Sequence, residues 1–232
     1  MFVNQVLQLR EARLALATKP FKARGSKMIR CKRCLLAKRY CICSDVQAVP
    51  AQSQFCLLMY DTEPLTPSNT GRLIADVLPD TRAFLWSRTE VNPDLIALLD
   101  DPTYQPMVIF PESHCDPERD IINTPRCDNG KKPFFIILDG TWPEACKMFR
   151  KSPYLAKFPV LSLHMHKTSN YRLRESPSAE QFCTAEVAIE LLRQSDSLRS
   201  AEALQNHFDN FRLHYLASKA NKSVEQIVKE LN

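Results

Sequence analysis

Glycine is scarce in this chain of 232 residues, which contains only Gly25, Gly71, Gly130 and Gly140. The sequence has no G-x-G-x-x-G fingerprint and no P-loop, which argues against the common dinucleotide-binding folds and the P-loop NTPases. Long apolar runs are also missing, whereas a membrane-spanning helix needs about 20 predominantly apolar residues in succession. The N-terminal residues show no apolar stretch typical of a secretory signal. We therefore expect a cytoplasmic protein without a membrane partner.

Cysteine, by contrast, is frequent, with 9 residues in the chain. Disulfides are rare in the cytoplasm, so free thiols or metal ligands are the better interpretation. Four of these cysteines form a C-x2-C-x6-C-x-C cluster: Cys31, Cys34, Cys41 and Cys43. Four thiolates can close a tetrahedral zinc site, and such a site is structural because it keeps no open coordination position. The alternative is four unrelated buried cysteines.

Positive charge is concentrated near the N-terminus. Residues 1–43 carry eleven Lys or Arg and one acidic residue, whereas residues 44–232 carry twenty basic and twenty-five acidic residues. A basic arm on a mildly acidic body is typical of a protein that binds a polyanion. Within residues 31–43, the cysteine loop, we expect outward-facing phosphate contacts from Lys32, Arg33, Lys38 and Arg39. The alternative is a solvated, disordered basic tail.

The strongest candidate site follows the apolar run of residues 134–138, which predicts a strand buried on both faces. The strand ends at Asp139, and a helix with Thr141 and Glu144 in capping-box register comes next. Open α/β sheets bind their ligands at the carboxyl ends of the strands, which makes Asp139 a candidate functional residue. The alternative is that Asp139 and Thr141 only cap the helix and that Trp142 belongs to the core.

A second candidate segment, residues 69–72, follows the polar loop of residues 61–68, which is longer than a plain connection between a strand and a helix requires. Asn69 or Thr70 can cap the helix that begins here, and free N–H groups at a helix start suit a carboxylate or phosphate. Gly71 would let a ligand approach the backbone closely, and Arg72 would act as a charged clamp. The alternative is a plain capped turn.

Strands and helices alternate along the chain, which predicts an α/β fold with a mostly parallel sheet and helices on both faces. We expect five strands, with a short helix and a surface loop over residues 111–132. A later helix carries Thr184 and Glu186 near its start, where they either interact with the helix dipole or form the far wall of a pocket. We divide the chain into an N-terminal helix and basic cysteine-rich arm (1–50), a central domain (51–218) and a helical tail (219–232).

Five motifs, taken together, resemble those of the DTW-domain proteins of the TDD superfamily, and most closely those of its bacterial tRNA-uridine aminocarboxypropyltransferases. The motifs are the four-cysteine cluster, Pro67-Ser68-Asn69-Thr70-Gly71-Arg72-Leu73, Asp139-Gly140-Thr141-Trp142, Tyr171-Arg172-Leu173-Arg174-Glu175 and Cys183-Thr184-Ala185-Glu186. The likeness extends over nearly the whole chain. Any one of these motifs alone would be a weak signal, whereas the complete set is specific.

The resemblance implies transfer of the 3-amino-3-carboxypropyl group of S-adenosylmethionine to N3 of a uridine in tRNA. The family's bacterial target is position 47 of the variable loop, and the products are acp3U and methylthioadenosine. The resemblance also implies that the central domain is a DTW catalytic domain with a SPOUT-like fold and a C-terminal trefoil knot. General topology rules would not suggest a knot.

For this reaction we expect Asp139 to take the N3 proton of uridine, Thr141 to orient the carboxylate and Trp142 to line the pocket. Arg172 and Arg174, with the basic residues of the cysteine loop, would contact tRNA. S-adenosylmethionine would contact the turns and the strand end around the carboxylate: Asn69, Thr70, Gly71, Arg72, Leu138, Gly140, Tyr171, Leu173, Thr184 and Glu186.

Two other interpretations remain open at this point. One is a SPOUT-type RNA methyltransferase with the same donor, because the carbon that is attacked depends mainly on how the donor is held. The other is a non-catalytic RNA-binding protein with a zinc knuckle, which needs no carboxylate at a strand end. The resemblance implies tRNA as the partner, and nothing in the sequence implies a protein partner.

Overall fold

The structure, a computed structural model, describes residues 3–18, 28–128, 130–163, 182–195 and 197–231. Its helices are α1 (Gln5–Ala15), α2 (Gly71–Val77), α3 (Pro93–Leu99), α4 (Trp142–Arg150), α5 (Thr184–Gln194), α6 (Leu198–Ala220) and α7 (Val224–Leu231). Its strands are β1 (Gln54–Met59), β2 (Arg82–Leu85), β3 (Tyr104–Ile109), β4 (Ile121–Ile122), β5 (Lys132–Asp139) and β6 (Val160–Leu161). No helix in these ranges combines the length and the apolar composition that a bilayer crossing requires.

The six strands form one sheet in the order β2-β1-β5-β3-β6-β4, and every neighbouring pair is parallel. The predicted α/β fold with a mostly parallel sheet is therefore confirmed. β5 lies between β1 and β3, and its last residue, Asp139, pairs with Met59 at the end of β1. Asp139 thus occupies the carboxyl edge of a central strand.

Helices cover both faces of the sheet, because successive strand residues point to opposite sides. On one face, Phe135 and Ile137 of β5 pack in a cluster with residues of α1, α2, α5 and α6. On the other face, Phe134 and Ile136 pack with residues of α3 and α4. By the same alternation, the side chain of Asp139 belongs to the face of α2 and α5.

The cysteine loop and α1 share the first of these clusters. Val6 of α1, and Leu36 and Ile42 of the loop, are buried with Phe208 and Phe211 of α6. Residues on both sides of the predicted boundary at residue 50 therefore pack together. Because Leu36 and Ile42 are both 0% exposed, the loop itself is not a solvated tail.

The structure corrects the predicted strand count. Residues 111–132 contain a short 3₁₀ helix, Glu112–His114, but also the strand β4, which pairs with β6 at the sheet edge. An edge strand of two residues leaves no periodic apolar pattern, which is why the sequence predicts five strands and the described residues form six. The chain between β6 and α5 runs through residues 164–181, outside the described residues, so the trefoil knot stays a prediction.

α2 contains a buried ion pair, and its acidic residue also contacts the cap residue of α1 and a histidine of α6. Arg72 Nη1 and Asp76 Oδ2 are 2.5 Å apart, and their side chains are 1% and 7% exposed. Asn4 Nδ2 donates to Asp76 Oδ1 at 2.8 Å, and His207 Nε2 lies 3.3 Å from Asp76 Oδ2. The ring of Phe211 faces the guanidinium, with 5.1 Å between its centroid and Cζ. Burial acts to raise the pKa of Asp76, but Arg72, His207 and Asn4 outweigh it and hold the pKa below its usual value.

The lowered pKa predicts how stability depends on pH. The ionised Asp76 carboxylate stabilises the fold above the unfolded pKa of about 4, and this contribution is lost as the pH falls through the lower folded pKa. We expect Asp76→Asn to lower the free energy of unfolding at pH 7 by about 3–5 kcal/mol, because Arg72 stays buried without its carboxylate. Urea unfolding measures the loss, and the difference from wild type should shrink below about pH 4.

A matched control is the pair of Lys157 and Asp100, whose side chains are 57% and 53% exposed. Asp100→Asn should lower the free energy of unfolding by at most about 1 kcal/mol, because water screens an exposed pair. Equal losses in Asp76→Asn and Asp100→Asn would contradict the prediction.

Candidate active site

The carboxylate of Asp139 is 3% exposed and is held by side chains from two helix starts. Its Oδ1 accepts a hydrogen bond from the Thr184 hydroxyl at 2.6 Å, and its Oδ2 accepts one from Asn69 Nδ2 at 2.8 Å. Asn69 lies just before α2, and Thr184 is the first residue of α5. Asp139 therefore joins the end of the central strand to the beginnings of two helices on one face of the sheet.

Gly71 makes the close approach of Asp139 possible. A Cβ atom at position 71 would lie 2.4 Å from Asp139 Oδ2, closer than real Cβ atoms come to a neighbour. The sequence predicts that Gly71 leaves space for a ligand, and the structure shows instead that the protein's own carboxylate occupies this space. Glycine is thus required here by a contact within the fold.

The starts of α2 and α5 are also bonded to each other. Thr70 Oγ1 accepts from the backbone N–H of Ala185 at 3.3 Å. Within the start of α5 itself, Glu186 accepts from the backbone N–H of Cys183 at 2.9 Å. Burial raises the pKa of the Cys183 thiol well above its usual value. The thiol therefore stays protonated at neutral pH, which argues against a thiolate nucleophile at this position.

Comparison with known proteins identifies the family to which this site belongs. The DTW domain matches residues 28–216, a range that contains Asn69, Asp139 and Thr184. The chain belongs to the DTW-domain family. It is similar to tRNA-uridine aminocarboxypropyltransferase 2 of Drosophila melanogaster, with 24% identity over 176 residues that cover 72% of this chain and 67% of the relative. No solved structure matches the chain.

Within the DTW domain, two residues of the D-G-T-W motif do not take the positions predicted for them. The Thr141 hydroxyl and backbone N–H both donate to Glu144, at 2.7 and 2.8 Å, so Thr141 caps α4 and does not orient Asp139. Trp142 stacks on Phe110 with 5.5 Å between ring centroids, in the cluster that covers the other face of the sheet. The turn after β5 thus carries both side chains away from the carboxylate, and their roles in the reaction stay predictions.

Other residues predicted to contact S-adenosylmethionine do not share the surroundings of the Asp139 side chain. Arg72 points into the core and pairs with Asp76, and its role as a ligand clamp stays a prediction. The side chain of Leu138 belongs to the cluster on the face opposite Asp139, and its contact with the donor stays a prediction. Gly140 lies in the turn, where a Cβ atom would come within 3.1 Å of a side chain. Four further predicted residues lie outside the described residues: Tyr171, Arg172, Leu173 and Arg174.

Glu63 belongs to this site although the sequence does not single it out. It is 5% exposed and begins a 3₁₀ helix, Glu63–Leu65, in the loop after β1. Its Oε1 accepts from Asn69 Nδ2 at 3.1 Å. The unusual length of this polar loop is a signal that the segment is functional, but no pattern separates Glu63 from its polar neighbours.

The four-cysteine cluster has the dimensions of a tetrahedral zinc site. The sulfur atoms of Cys31, Cys34, Cys41 and Cys43 all lie within 4.8 Å of one another. The Sγ–Sγ distance is 3.6 Å between Cys31 and Cys43, and 3.7 Å between Cys34 and Cys41. Zn–S bonds of about 2.3 Å in a regular tetrahedron place the sulfur atoms about 3.8 Å apart. These residues therefore fit a structural zinc ion with four protein ligands.

The local backbone favours a metal ligand at Cys31. Burial acts to raise the pKa of this thiol, but hydrogen bonds from the backbone N–H groups of Arg33 and Cys34 and from the side chains of Cys41 and Cys43 outweigh it and bring the pKa down to about 7. In Cys34 and Cys43, by contrast, burial raises the pKa. The chain turns at Leu35, whose φ of 58° lies in the left-handed region that residues other than glycine rarely adopt. Because the thiolate is the form that binds metal, the lowered pKa favours coordination near neutral pH.

The basic residues of the cysteine loop face solvent. Lys32, Arg33, Lys38 and Arg39 are all exposed, as phosphate contacts require. Arg39 also lies over the ring of Tyr40, with 4.7 Å between Cζ and the centroid. RNA binding by these residues stays a prediction, since exposure is necessary for it but does not demonstrate it.

The zinc site predicts a change in both metal content and stability. Purified protein should contain about one zinc ion per chain, and Cys34→Ser should lose it, because three thiolates bind zinc more weakly than four. Leu36 and Ile42 of the loop are core residues, so loss of the metal should also loosen the fold. A loss of about 2 kcal/mol would lower the thermal midpoint by roughly 4–8 °C. Elemental mass spectrometry and calorimetry measure the two effects.

Cys127→Ser is the control for this substitution, because Cys127 is exposed and outside the cluster. It should keep the zinc and the thermal midpoint of wild type. The zinc assignment fails if wild type binds no zinc, or if Cys34→Ser retains the full amount.

Proposed function

We propose that this DTW-domain protein is a tRNA-uridine aminocarboxypropyltransferase that uses S-adenosylmethionine as the donor and modifies N3 of uridine 47 in the variable loop. The family and the name of the Drosophila relative support the proposal. The observation that carries it is the buried carboxylate of Asp139 at the carboxyl end of the central strand, between the starts of α2 and α5. Ligands of open α/β sheets bind at this edge.

The proposed reaction is a displacement at the methylene carbon next to the donor's sulfonium. N3 of uridine forms a bond to this carbon, the carbon–sulfur bond breaks, and the electron pair leaves with methylthioadenosine. A neutral imide is a poor nucleophile, so a base must remove the N3 proton. In our proposal Asp139 accepts this proton, as a general base held in one orientation by Asn69 and Thr184.

The burial of Asp139 places a requirement on this mechanism. Since the side chain is 3% exposed, the protein around it must open when the substrates bind. Thr70 connects the start of α2 to the start of α5 through the backbone N–H of Ala185, and we propose that donor binding separates this contact. Tyr171 and Leu173 are proposed as further donor contacts.

The cysteine loop is proposed to bind the tRNA. Zinc would fix the loop, and Lys32, Arg33, Lys38 and Arg39 would contact phosphates. Arg172 and Arg174 are proposed to extend this contact toward the acceptor uridine. Most of the affinity for tRNA should therefore depend on salt concentration.

Purified protein, S-adenosylmethionine and unmodified tRNA provide the direct test. Nucleoside mass spectrometry should detect acp3U, and methylthioadenosine should appear in equal amount. A methylated nucleoside with S-adenosylhomocysteine would show a methyltransferase instead. Calorimetry with the donor alone would exclude the non-catalytic alternative if the donor binds.

The role of Asp139 predicts the behaviour of Asp139→Ala. We expect kcat to fall by about 100-fold or more, the range of general-base contributions, because the carboxylate that removes the N3 proton is lost. The dissociation constants for donor and tRNA should stay within about threefold of wild type, because the base acts on the chemical step. Single-turnover kinetics and calorimetry measure the two quantities.

Asp139→Asn serves as the second variant, because it keeps the shape of the side chain without the base. Both variants should lose the product while retaining tRNA binding. Near-normal acp3U formation by either one would refute the role of Asp139 as the base.

A further inference from the structure

The carboxamide of Asn69 is fixed at both of its ends. Its Oδ1 accepts from the backbone N–H of Arg72 at 2.9 Å, which assigns the amide nitrogen to the opposite side. That nitrogen, Nδ2, donates to Glu63 Oε1 at 3.1 Å and to Asp139 Oδ2 at 2.8 Å. Because a carboxamide nitrogen carries only two hydrogens, Glu63 and Asp139 together use the full donor capacity of Asn69.

Glu63 itself is held by the strand end and by α1. Its backbone N–H donates to the carbonyl of Tyr60, and the N–H of Tyr60 donates to the carbonyl of Asp139, both at 2.9 Å. Arg10 of α1 donates to the two carbonyls that follow Glu63, at 3.3 and 2.5 Å. The position of Glu63 is thus set by elements on two sides, one of them outside the range that the DTW domain matches.

We propose that Glu63 is a positioning residue for Asp139 and acts through Asn69. Glu63 accepts one amide hydrogen and thereby directs the other hydrogen at Asp139 Oδ2. Without Glu63, one N–H of a carboxamide that is 2% exposed has no acceptor, which is costly in a buried site. The carboxamide then rotates to find a new acceptor, and Asp139 loses the bond that fixes its Oδ2.

This inference rests on the proposed function of Asp139 and predicts different effects for two substitutions. Glu63→Gln keeps an oxygen that accepts from Asn69 and removes the charge, whereas Glu63→Ala removes both. We expect kcat of Glu63→Ala to fall about 10- to 100-fold, because misplacing a catalytic group by an ångström has effects of this size. KM for donor and tRNA should stay within about twofold of wild type, and kcat of Glu63→Gln within about threefold.

Crystal structures of wild type and both variants give a second readout that needs no activity. Asn69 Nδ2 should stay within hydrogen-bond distance of Asp139 in wild type and in Glu63→Gln, and should turn away in Glu63→Ala. An unchanged Asn69 in Glu63→Ala would refute the proposal. So would equal loss of donor binding in both variants, since this would assign Glu63 to the donor through its charge. Absence of acp3U with wild type would refute the proposed function, while the crystal structures would still decide the role of Glu63.

A different set of contacts joins the cysteine loop to the end of α6. The Tyr40 hydroxyl donates to the carbonyl of Lys222 at 2.9 Å, and the Arg39 guanidinium contacts the side chain of Asn221. His214 Nδ1 lies 3.1 Å from the carbonyl of Tyr40. Residues 219–222 therefore lie directly beside the basic side chains of the loop, although the DTW domain match ends at residue 216.

The end of α6 adds positive charge to this surface. Lys219 and Lys222 are both exposed, and the loop beside them carries four exposed basic residues. Lys222 also pairs with Glu230 at 2.5 Å, and Glu225 lies on the same short helix, α7. The basic groups outnumber these carboxylates. Because an exposed ion pair is weak, a phosphate can replace Glu230 as the partner of Lys222.

We propose that Lys219 and Lys222 belong to the RNA-binding surface of the cysteine loop. The double substitution Lys219→Ala with Lys222→Ala should then weaken tRNA binding and reduce the slope of log K against log salt by about 2, one for each phosphate contact. Filter binding at several salt concentrations measures the slope. This inference rests on tRNA being the partner, and it does not depend on catalysis.

The control is Lys131→Ala with Lys132→Ala, which removes the same charge from exposed lysines at the start of β5. Equal slopes for the two double variants would refute the proposed surface and leave only an effect of net charge. If wild type binds tRNA without any salt dependence, the proposed surface and the proposed role of the loop both fail, whereas acp3U formation would still support the activity.

Discussion

One contact determines how this site is built: the carboxylate of Asp139 occupies the space that a side chain at position 71 would need. Because Gly71 has no Cβ, the start of α2 can approach the end of β5 closely enough for Asn69 to reach Asp139. The start of α5 closes the arrangement from the other side through Thr184. Any larger residue at position 71 would displace either the helix or the carboxylate, and the three elements would no longer meet.

The sequence was sufficient to predict where Asp139 lies but not what surrounds it. A short apolar run followed by a capping box indicates a buried strand that ends at a helix start, and this depends only on local patterns. The strand alternation also separates Leu138 from Asp139, since neighbouring residues of a strand point to opposite faces. The directions of Arg72 and Trp142 could not be predicted in this way, because they depend on the packing of helices that are distant in sequence.

Polar residues in loops were the hardest to predict. Glu63 acquires its place in the site from its contact with Asn69, nearby in the chain, and from Arg10 of α1, more than fifty residues earlier, which bonds the two carbonyls after Glu63. The cysteine spacing, by contrast, predicted a compact cluster because four ligands of one ion must converge whatever the rest of the fold does. A metal-binding motif can therefore be recognised from residue spacing in the sequence. The hydrogen-bond partners of a buried carboxylate can be identified only from the structure.

The long helix α6 has 23 residues and contacts two separate parts of the protein. His207 contacts Asp76 of the buried ion pair in α2. Asn221, directly after α6, contacts Arg39 of the cysteine loop. These two positions are separated by about 21 Å along the helix axis, at about 1.5 Å per residue. The helix thus holds the cysteine loop at a fixed distance from the buried pair of Arg72 and Asp76, so a change that shortens or bends α6 would move one relative to the other.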